Sequence, residues 1–365
     1  MDISVVFFKD TGEEKFMKTV KKLLFALITI FIICTVGVSA LAGSELDADL
    51  LRSSFTFGVG PETDGYSIDY RYFSPVKEND DTKYPVVIWL HGLSDGEYEG
   101  KQLTNNNIVY WASDEYQSRF GESGGAFIFV PRSLEEKDLF WSDSLIYPLR
   151  AAIDDFIAQN KDNVDVSRIY IGGYSMGGRM TYKMAVSYPE MFAAIFPVCP
   201  AWSPDDSAAQ KLTDIPVWVT SGKLDPLVSY YTMVNVGWKN ITEQTNCPES
   251  CRFSTLSLTA YADGKLTSSA HHAWYAVNND MFSSENGAYP YMKTVDGNGN
   301  TVELAYPDGM ISWLTSFTSD YDGQPATDSG NEEGKGEGKP ASLAAIILSW
   351  IRSVFVRLKN IFNIK

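Results

Sequence analysis

The segment IYIGGYSMGGRM, residues 169–180, holds a serine whose surroundings can make it a nucleophile. Residues 173–177 fit the pattern G-x-S-x-G, which is typical of a sharp turn from a strand into a helix. In that turn the hydroxyl of Ser175 sits at a strained backbone position above the sheet, and the flanking glycines let neighbouring backbone come close. The N–H of Met176 begins the helix and points toward any developing oxyanion. The pattern therefore indicates acyl transfer through a covalent intermediate.

The residues on both sides of the motif supply the context that such a turn requires. Ile169-Tyr170-Ile171 is an apolar run of strand type, and residues 179–185 continue with helical periodicity. The alternative is a glycine-rich turn without a chemical role. The strand before Ser175 and the helix after it favour the nucleophile.

A serine hydroxyl needs a base to take its proton, and histidine is the usual choice because its pKa lies near neutral pH. The chain has three histidines: His91, His271 and His272. In hydrolases that carry G-x-S-x-G at a strand-to-helix turn, the base follows the serine and the acid along the chain, which argues against His91. His271 and His272 lie together in a late loop, and periodicity does not distinguish between them.

The acid of such a site is expected between the serine and the histidines, just after a strand. Asp225 fits this position because it follows the apolar run 216–219 and a turn that contains Gly222. It would orient the imidazole and stabilise the imidazolium. The competing aspartates either precede this run in a polar stretch or follow no apolar strand: Asp205, Asp206, Asp214, Asp263 and Asp280.

His91-Gly92 directly follows the apolar run 85–90, which predicts a loop beside the nucleophile. Backbone N–H groups of such a loop can provide the second donor to an oxyanion, and we assign that donor to Leu93. His91 itself is expected to hold the loop.

The elements that position these residues alternate along the middle of the chain. Helical patterns over 145–157 and 178–188 stand between strand-like segments, and residues 66–73 alternate like an antiparallel arm. Continuous apolar runs are typical of central strands of a parallel sheet that is covered on both faces. The pattern predicts a doubly wound α/β domain over residues 43–320. The strand-like runs are 85–90, 126–130, 169–171, 194–198 and 217–219.

The N-terminal segment has the features of a secretory signal peptide. A cationic stretch, 17–22, precedes the apolar run 23–38, and small residues follow before Gly43 at cleavage spacing. We therefore expect residues 1–42 to be a signal peptide rather than a membrane-spanning helix, for which the run is short. The acidic residues before the cationic stretch suggest that translation starts at Met17.

The C-terminal segment has two parts. Residues 321–340 are rich in Gly, Glu, Asp and Lys, a composition typical of a flexible linker. Residues 341–365 form a basic amphipathic pattern, and Arg352 interrupts its apolar run too early for a membrane span. Two interpretations stay open: a helix that contacts a membrane or the cell envelope, or a helix that docks on the domain or on a partner.

Charge and cysteine content limit the kinds of partner. The formal net charge of −16 and the lack of a basic patch in the middle of the chain argue against a nucleic-acid partner. Cys247 and Cys251 are close enough in sequence to pair, which an extracellular setting would permit, whereas Cys199 is expected to be a buried small side chain. No Cys/His cluster has metal-ligand spacing, and the predicted chemistry requires neither metal nor cofactor.

The assembled motifs resemble the α/β-hydrolase superfamily over about residues 66–317. Within it the chain resembles secreted esterases that include polyhydroxybutyrate depolymerases and feruloyl esterases, and the related prolyl-oligopeptidase-like hydrolases. The matching segments are YRYFSP, YPVVIWLHG, VDVSRIYIGGYSMGG, IPVWVTSGKLDPLV, HHAW and MISWL, in this order.

The resemblance implies the α/β-hydrolase fold and a role for each matching residue. Ser175 matches the nucleophile, Asp225 the acid and His91-Gly92-Leu93 the oxyanion loop. The family base commonly stands three residues before a tryptophan, which selects His271 over His272. One departure is Ala270, where the family usually has glycine. Another is the long segment 278–303, which could shape the substrate cleft and which carries a predicted hairpin turn at 296–300.

We therefore expect a secreted, extracellular serine esterase, with association to the cell surface as one of the two open interpretations of its C-terminal helix. Its expected substrates are acyl groups, feruloyl or acetyl, on plant-wall polysaccharide, with aryl or alkyl esters as surrogates. Two alternatives remain: a prolyl-oligopeptidase-like serine peptidase, and a non-catalytic binding module anchored on the envelope. Tryptophans expected either to line an aryl or sugar site or to pack in the core are Trp111, Trp141, Trp202 and Trp274.

Overall fold

The computed structural model describes residues 47–77, 81–104, 108–137, 139–259, 266–267, 269–280, 291–304 and 309–325, with only the backbone at residue 136. None of the helices in these ranges combines the length and the hydropathy that a bilayer span requires. The predicted signal peptide (1–42) with its start at Met17, most of the predicted linker and the predicted C-terminal helix (341–365) lie outside the described residues.

The strands form one mixed sheet. In the described residues they are β1 (Thr56–Val59), β2 (Asp69–Phe73), β3 (Tyr84–Leu90), β4 (Phe127–Pro131), β5 (Val164–Tyr174), β6 (Ala194–Val198), β7 (Trp218–Gly222), β8 (Arg252–Leu256) and β9 (Met292–Asp296).

The order across the sheet is β1-β2-β4-β3-β5-β6-β7-β8-β9. The strands from β4 to β8 across this order run parallel, whereas β1 with β2, β2 with β4, and β8 with β9 pair antiparallel. The predicted mostly parallel sheet is therefore confirmed, as is the antiparallel arm predicted over 66–73.

The α-helices connect and cover the strands. In the described residues they are α1 (Ala48–Ser53), α2 (Asp114–Gln117), α3 (Ile146–Gln159), α4 (Met176–Ser187), α5 (Asp206–Gln210), α6 (Asn235–Gln244), α7 (Trp274–Asn278) and α8 (Met310–Leu314). Short 3₁₀ turns cover Lys101–Leu103, Ile108–Ala112, Gly121–Ser123, Glu135–Lys137, Asp143–Leu145 and Pro189–Met191, and a π-helical turn covers Tyr230–Val234.

Strand β3 shows why the sheet is covered on both faces. All seven of its residues are buried. Because successive side chains of a strand point to opposite faces, Val86 and Ile88 join the core cluster that contains α3 and α4, whereas Val87 and Trp89 join the cluster that contains α7 and α8. Each face thus needs its own layer of helices, as the continuous apolar run predicts.

Three strands lack a clear signal in the sequence. β1, β8 and β9 are short and carry polar residues, and they lie toward or at the edges of the sheet. β8 and β9 compensate part of their polarity, because the hydroxyls of Ser254 and Thr294 lie 2.8 Å apart in a buried hydrogen bond. Tertiary pairing, rather than an apolar run, makes these segments strands.

The predicted turn at 296–300 forms at the end of β9. Asp296 accepts hydrogen bonds from the N–H groups of Asn298 and Asn300, at 2.9 and 2.8 Å. In the β8–β9 register Asp296 is opposite Arg252, where β8 begins. The turn therefore lies at the amino end of the parallel strands, whereas a parallel sheet presents its site at the carboxyl ends. Residues 281–290 of the segment 278–303 lie outside the described residues, so its expected contribution to the cleft stays a prediction.

The folded domain continues past residue 320. Tyr321 is buried, and its hydroxyl accepts a hydrogen bond of 3.0 Å from Arg150 in α3. The same guanidinium donates to the carbonyl of Gln324 at 3.0 Å. The predicted linker boundary at residue 321 is thus too early, because composition does not reveal that one tyrosine anchors this polar stretch.

Candidate active site

Ser175 occupies the sharp turn between β5 and α4. Its backbone has φ 58° and ψ −111°, a left-handed conformation that is unfavourable for a residue with a Cβ, by about 1–3 kcal/mol. Two hydrogen bonds hold it: its N–H donates to the carbonyl of Val198 at 2.9 Å, and its own carbonyl accepts from Ala201 at 2.9 Å. The end of β6 and the residues after it therefore stabilise the turn.

The glycines of the motif are required because α4 presses against the end of β3. A Cβ on Gly177 would overlap the carbonyl oxygens of Leu90 and His91. A Cβ on Gly173 would lie 2.7 Å from the Leu90 oxygen and 2.7 Å from the Gly177 carbonyl carbon. Close backbone packing, rather than the serine itself, thus fixes these two positions.

The structure brings Ser175, Asp225 and His271 together. Ser175 Oγ lies 3.0 Å from His271 Nε2, across 96 residues of chain, and His271 Nδ1 lies 2.6 Å from Asp225 Oδ2. All three residues are buried, and the Asp225 side chain has no exposed surface. With the proton of His271 on Nδ1, Nε2 is free to accept the serine proton, which is the arrangement for general-base activation.

The second oxygen of Asp225 is held by its own loop. Oδ1 accepts the N–H groups of Leu227 and Val228 at 2.8 and 2.9 Å, so Oδ2 stays directed at the imidazole. The backbone of His271 is also fixed, because its main-chain N–H donates to Ser269 Oγ at 3.1 Å. Both partners of the acid–base pair are therefore oriented before any ligand binds.

Tyr174, the residue before the serine, packs on the base. Its ring centroid lies 4.8 Å from that of His271, and burial raises the pKa of its hydroxyl, which stays neutral. The ring limits the rotation of the imidazole. The sequence pattern leaves this position of the motif unspecified, so it predicts no role for the tyrosine.

The alternatives to Asp225 and His271 have other environments. His272 is half-buried and faces the rings of Trp274 and Tyr275, with centroids 6.3 and 6.5 Å away. The competing aspartates have structural contacts: Asp205 caps α5, Asp214 accepts from Asn246, and Asp280 pairs with Arg119. Asp206 is exposed in the first turn of α5, and Asp263 lies outside the described residues.

The loop after β3 reaches the site by strand register. Leu90 is paired with Gly173 in the parallel β3–β5 ladder, so Leu93 lies beyond the end of β3 next to the turn that holds Ser175. Met176 is the first residue of α4, and an N–H at that position has no acceptor within the helix. Leu93 lies in the loop after β3, and Met176 lies at the start of α4. The two predicted oxyanion donors are thus at the same edge of the sheet, where β3 and β5 end.

His91 fixes the peptide that carries the Leu93 N–H. His91 Nδ1 lies 2.6 Å from the carbonyl oxygen of Gly92, and His91 Nε2 accepts the N–H of Ser133 at 3.0 Å. The second bond assigns the proton to Nδ1, which then donates to Gly92. Because a trans peptide is planar, fixing the Gly92 carbonyl also fixes the Leu93 N–H, which points the opposite way.

His91 is a neutral structural group. It is fully buried, and burial lowers its pKa to about 4. Trp141 packs on its ring at 5.1 Å and donates an indole hydrogen bond of 2.9 Å to its carbonyl. This environment agrees with the expectation that His91 holds the loop.

Two comparisons with known proteins identify the scaffold. Residues 143–256 match the model of a family described as Phospholipase/Carboxylesterase, a range that includes Ser175 and Asp225. A solved structure described as a thermostable esterase superposes with a TM-score of 0.51 and 28% identity, covering 63% of this chain and 61% of that one. The chain has the α/β-hydrolase fold.

The curated relatives of this chain include a protein named as an esterase and one named as a depolymerase. The chain is 22% identical to a bifunctional acetylxylan esterase/xylanase of Neocallimastix patriciarum over 68% of its own length. It is 25% identical to a poly(3-hydroxyalkanoate) depolymerase of Paucimonas lemoignei over 49% of its length. It spans 33% and 39% of these two relatives. The predicted resemblance to the esterase group of α/β-hydrolases is confirmed.

One group of metal-ligating side chains stands out among the described residues of this chain. Atoms of Cys199, Asp225 and His271 lie within 4.8 Å of one another. The acid and the base are joined by a direct hydrogen bond of 2.6 Å, which leaves no room for an ion between those two atoms. Asp225 and His271 therefore form a hydrogen-bonded pair, and the buried thiol of Cys199 lies beside it.

Three of the tryptophans proposed for an aryl or sugar site pack in the core of the domain. Trp111, Trp141 and Trp274 are each 5% exposed or less, whereas Trp202 is half-buried. For the first three, core packing is the correct interpretation.

Glu135, which contacts the loop of Leu93, has no motif of its own and is not predicted by the sequence.

Proposed function

We propose that this chain is a serine esterase that works through an acyl-enzyme. The observation that carries the proposal is the continuous buried chain of hydrogen bonds from Ser175 Oγ through His271 to Asp225, at 3.0 and 2.6 Å. At these distances the serine oxygen can transfer its proton to the histidine, and the carboxylate can orient the histidine as the base.

In the acylation step, Ser175 Oγ bonds to the ester carbonyl carbon while its proton moves to His271 Nε2. The carbonyl oxygen gains the negative charge, and the N–H groups of Met176 and Leu93 donate to it. The intermediate then expels the alcohol, which takes the proton from His271. Asp225 stabilises the imidazolium throughout without itself being protonated.

In the deacylation step, water replaces the alcohol. His271 Nε2 takes a proton from the water as its oxygen attacks the acyl carbon, and the second tetrahedral intermediate forms on the same two N–H donors. Its collapse breaks the bond to Ser175 Oγ, which recovers its proton from His271. The carboxylic acid leaves, and the enzyme returns to its starting state.

The proposed substrates are acetyl or feruloyl groups on plant-wall polysaccharide. The name of the acetylxylan esterase relative supports the acetyl group, and that of the polyhydroxyalkanoate depolymerase supports ester hydrolysis on a polymer. Secretion by the N-terminal segment and envelope contact by residues 341–365 are part of the same proposal, and they rest on the sequence patterns described above.

The first experiment measures hydrolysis of p-nitrophenyl acetate by the wild type and by Ser175→Ala and His271→Ala. We expect each substitution to lower kcat by about 10⁴-fold or more, because each removes a group that takes part in bond making or proton transfer. His272→Ala is the matched control: it removes the adjacent imidazole and should retain activity. Wild-type activity in Ser175→Ala would disprove the proposal.

A second experiment separates the ester and peptide substrates. The wild type is incubated with acetylated xylan, with feruloylated arabinoxylan and with a proline-containing peptide, and the released acids and peptide fragments are quantified. We expect Ser175-dependent release of acid from at least one polysaccharide and an intact peptide. Cleavage of the peptide alone would support the peptidase alternative, and binding without any hydrolysis would support a binding module.

A further inference from the structure

Glu135 contacts the loop that carries the second proposed oxyanion donor. It lies in the 3₁₀ turn Glu135–Lys137 that follows β4, the neighbour of β3 in the sheet. Its Oε1 accepts the N–H of Ser94 at 2.9 Å. The side chain thus binds the backbone of the 91–97 loop directly after Leu93.

The hydrogen bond to Ser94 fixes the peptide that follows Leu93. Ser94 has φ 69°, a left-handed conformation that is uncommon for a serine. The Ser94 N–H that Glu135 accepts thus belongs to a residue in a strained conformation. Since His91 already fixes the peptide before Leu93, through the Gly92 carbonyl, both peptide planes around Leu93 are held by buried side chains.

The rest of the loop is packed against the same segment after β4. Arg132 donates a hydrogen bond of 3.0 Å to the carbonyl of Gly96 and pairs with Asp69 at 2.5 Å. A Cβ on Gly96 would lie 2.7 Å from the His91 ring and 2.7 Å from the Ser133 hydroxyl. Arg132 and this close packing therefore hold Gly96, whereas Glu135 holds the peptide between Leu93 and Ser94.

A buried carboxylate at this position is unfavourable for stability alone. Glu135 is 9% exposed, and burial together with the nearby charges of Asp95 and Glu97 raises its pKa to about 6. Within the described residues no Lys or Arg forms an ion pair with it. A group that is retained in spite of such an environment is a candidate for a functional role.

We propose that Glu135 is a positioning residue that holds the Leu93 N–H in the geometry needed to bind the oxyanion. The inference rests on the proposed function, because it assumes that Leu93 is an oxyanion donor. Glu135 touches neither the substrate nor the reacting atoms. It acts through the Ser94 N–H, so its loss should weaken transition-state binding more than substrate binding.

The kinetic test compares Glu135→Ala and Glu135→Gln with the wild type on p-nitrophenyl acetate. We expect Ala to lower kcat by about 10–100-fold with KM unchanged, because a donor displaced by about 1 Å loses much of its effect. Gln keeps an oxygen acceptor and should restore most of kcat. Glu97→Ala is the matched control, since Glu97 is an exposed acid on the same loop that pairs with Lys101 at 2.6 Å.

A merely structural role would give a different result. In that case Ala would lower Tm and the fraction of protein that a serine-reactive phosphonate labels, but kcat per labelled site would equal that of the wild type, and the proposal would be wrong. A Gln variant no more active than Ala would also contradict it, since the amide oxygen can accept the Ser94 hydrogen bond.

Amide hydrogen exchange provides a readout that does not depend on activity. We expect the Ser94 N–H to exchange faster in Glu135→Ala than in the wild type, whereas Val87 in the buried strand β3 should be unchanged. Equal protection of Ser94 in both proteins would overturn the positioning role. If Ser175→Ala keeps wild-type activity while Ser94 responds as expected, the proposed function fails and the structural contact stands.

Discussion

Gly222 at the end of β7 packs directly against the backbone of Ala270, the residue before the base. A Cβ on Gly222 would overlap the Ala270 carbonyl oxygen. This contact matters because Gly222 leads into the loop of Asp225, whereas Ala270 leads into His271. The absence of one side chain thus allows the acid and the base to approach within 2.6 Å.

Gly222→Ala should therefore separate the acid from the base. We expect ester hydrolysis to fall by about 10–100-fold, since a displacement of about 1 Å at a reacting group has that effect. We also expect a loss of about 1–3 kcal/mol in the free energy of unfolding from the overlap. The measurements are kcat and urea unfolding.

The control is Gly65→Ala, at φ 77° in open space, which should lower stability by about 1 kcal/mol without changing kcat. Equal kcat in the two variants would contradict the role of the Gly222 contact.

Asp225→Asn should leave the fold intact and remove most activity. The amide oxygen of Asn can still accept the N–H groups of Leu227 and Val228, so its amide nitrogen would face His271. The imidazole would then carry its proton on Nε2 and could not accept one from Ser175. We expect kcat to fall by about 10⁴-fold, with little change in the unfolding midpoint. Asp206→Asn, on the exposed first turn of α5, is the control and should behave as the wild type.

His91 predicts a specific dependence of stability on pH. Its pKa is lowered to about 4 in the folded chain, so between pH 4 and its ordinary value the unfolded chain binds more protons than the folded one. The contribution of neutral His91 to the free energy of unfolding is therefore fully present above the ordinary pKa of histidine. It is lost as the pH falls through this window. The contribution between about pH 7 and pH 5 is about 2 kcal/mol.

The measurement is urea unfolding of the wild type and of His91→Gln at both pH values. We expect a smaller pH dependence in the variant, and equal dependence in both proteins would contradict the buried neutral state of His91. Glu135 contributes with the opposite sign, because burial raises its pKa to about 6 and makes the folded chain the better proton acceptor below that value. Because both proteins contain Glu135, the difference between their pH dependences of unfolding free energy gives the contribution of His91 alone.

Cys247 and Cys199 should differ in reactivity. A hydrogen bond from Cys251 lowers the pKa of Cys247 to about 6, and Cys247 is partly exposed. Cys199 is fully buried, and burial raises its pKa. After treatment with a mild reductant, we expect iodoacetamide to modify Cys247 at neutral pH while Cys199 stays unmodified, as measured by peptide mass spectrometry. Modification of Cys199 before Cys247 would show that the environments are wrongly assigned.

The local structure around Ser175 and Asp225 was predictable because it is encoded in short segments. The motif around Ser175 and the run that precedes Asp225 each combine an apolar strand with a turn, and the strands are where these patterns predict them. The periodicity of α3 was equally clear, since Leu149, Ile153 and Phe156 are all buried. A backbone that needs glycines and apolar residues at fixed spacing leaves that spacing in the sequence.

Other features follow from contacts between distant parts of the chain. The residues alone did not choose between His271 and His272, because both belong to one short loop and only the fold directs one of them toward Ser175 and Asp225. The roles of Glu135, Tyr174 and Gly222 are of the same kind. Each depends on two backbones approaching within a few ångströms across the carboxyl edge of the sheet. Such a distance is set by packing, and no periodicity in the sequence records it.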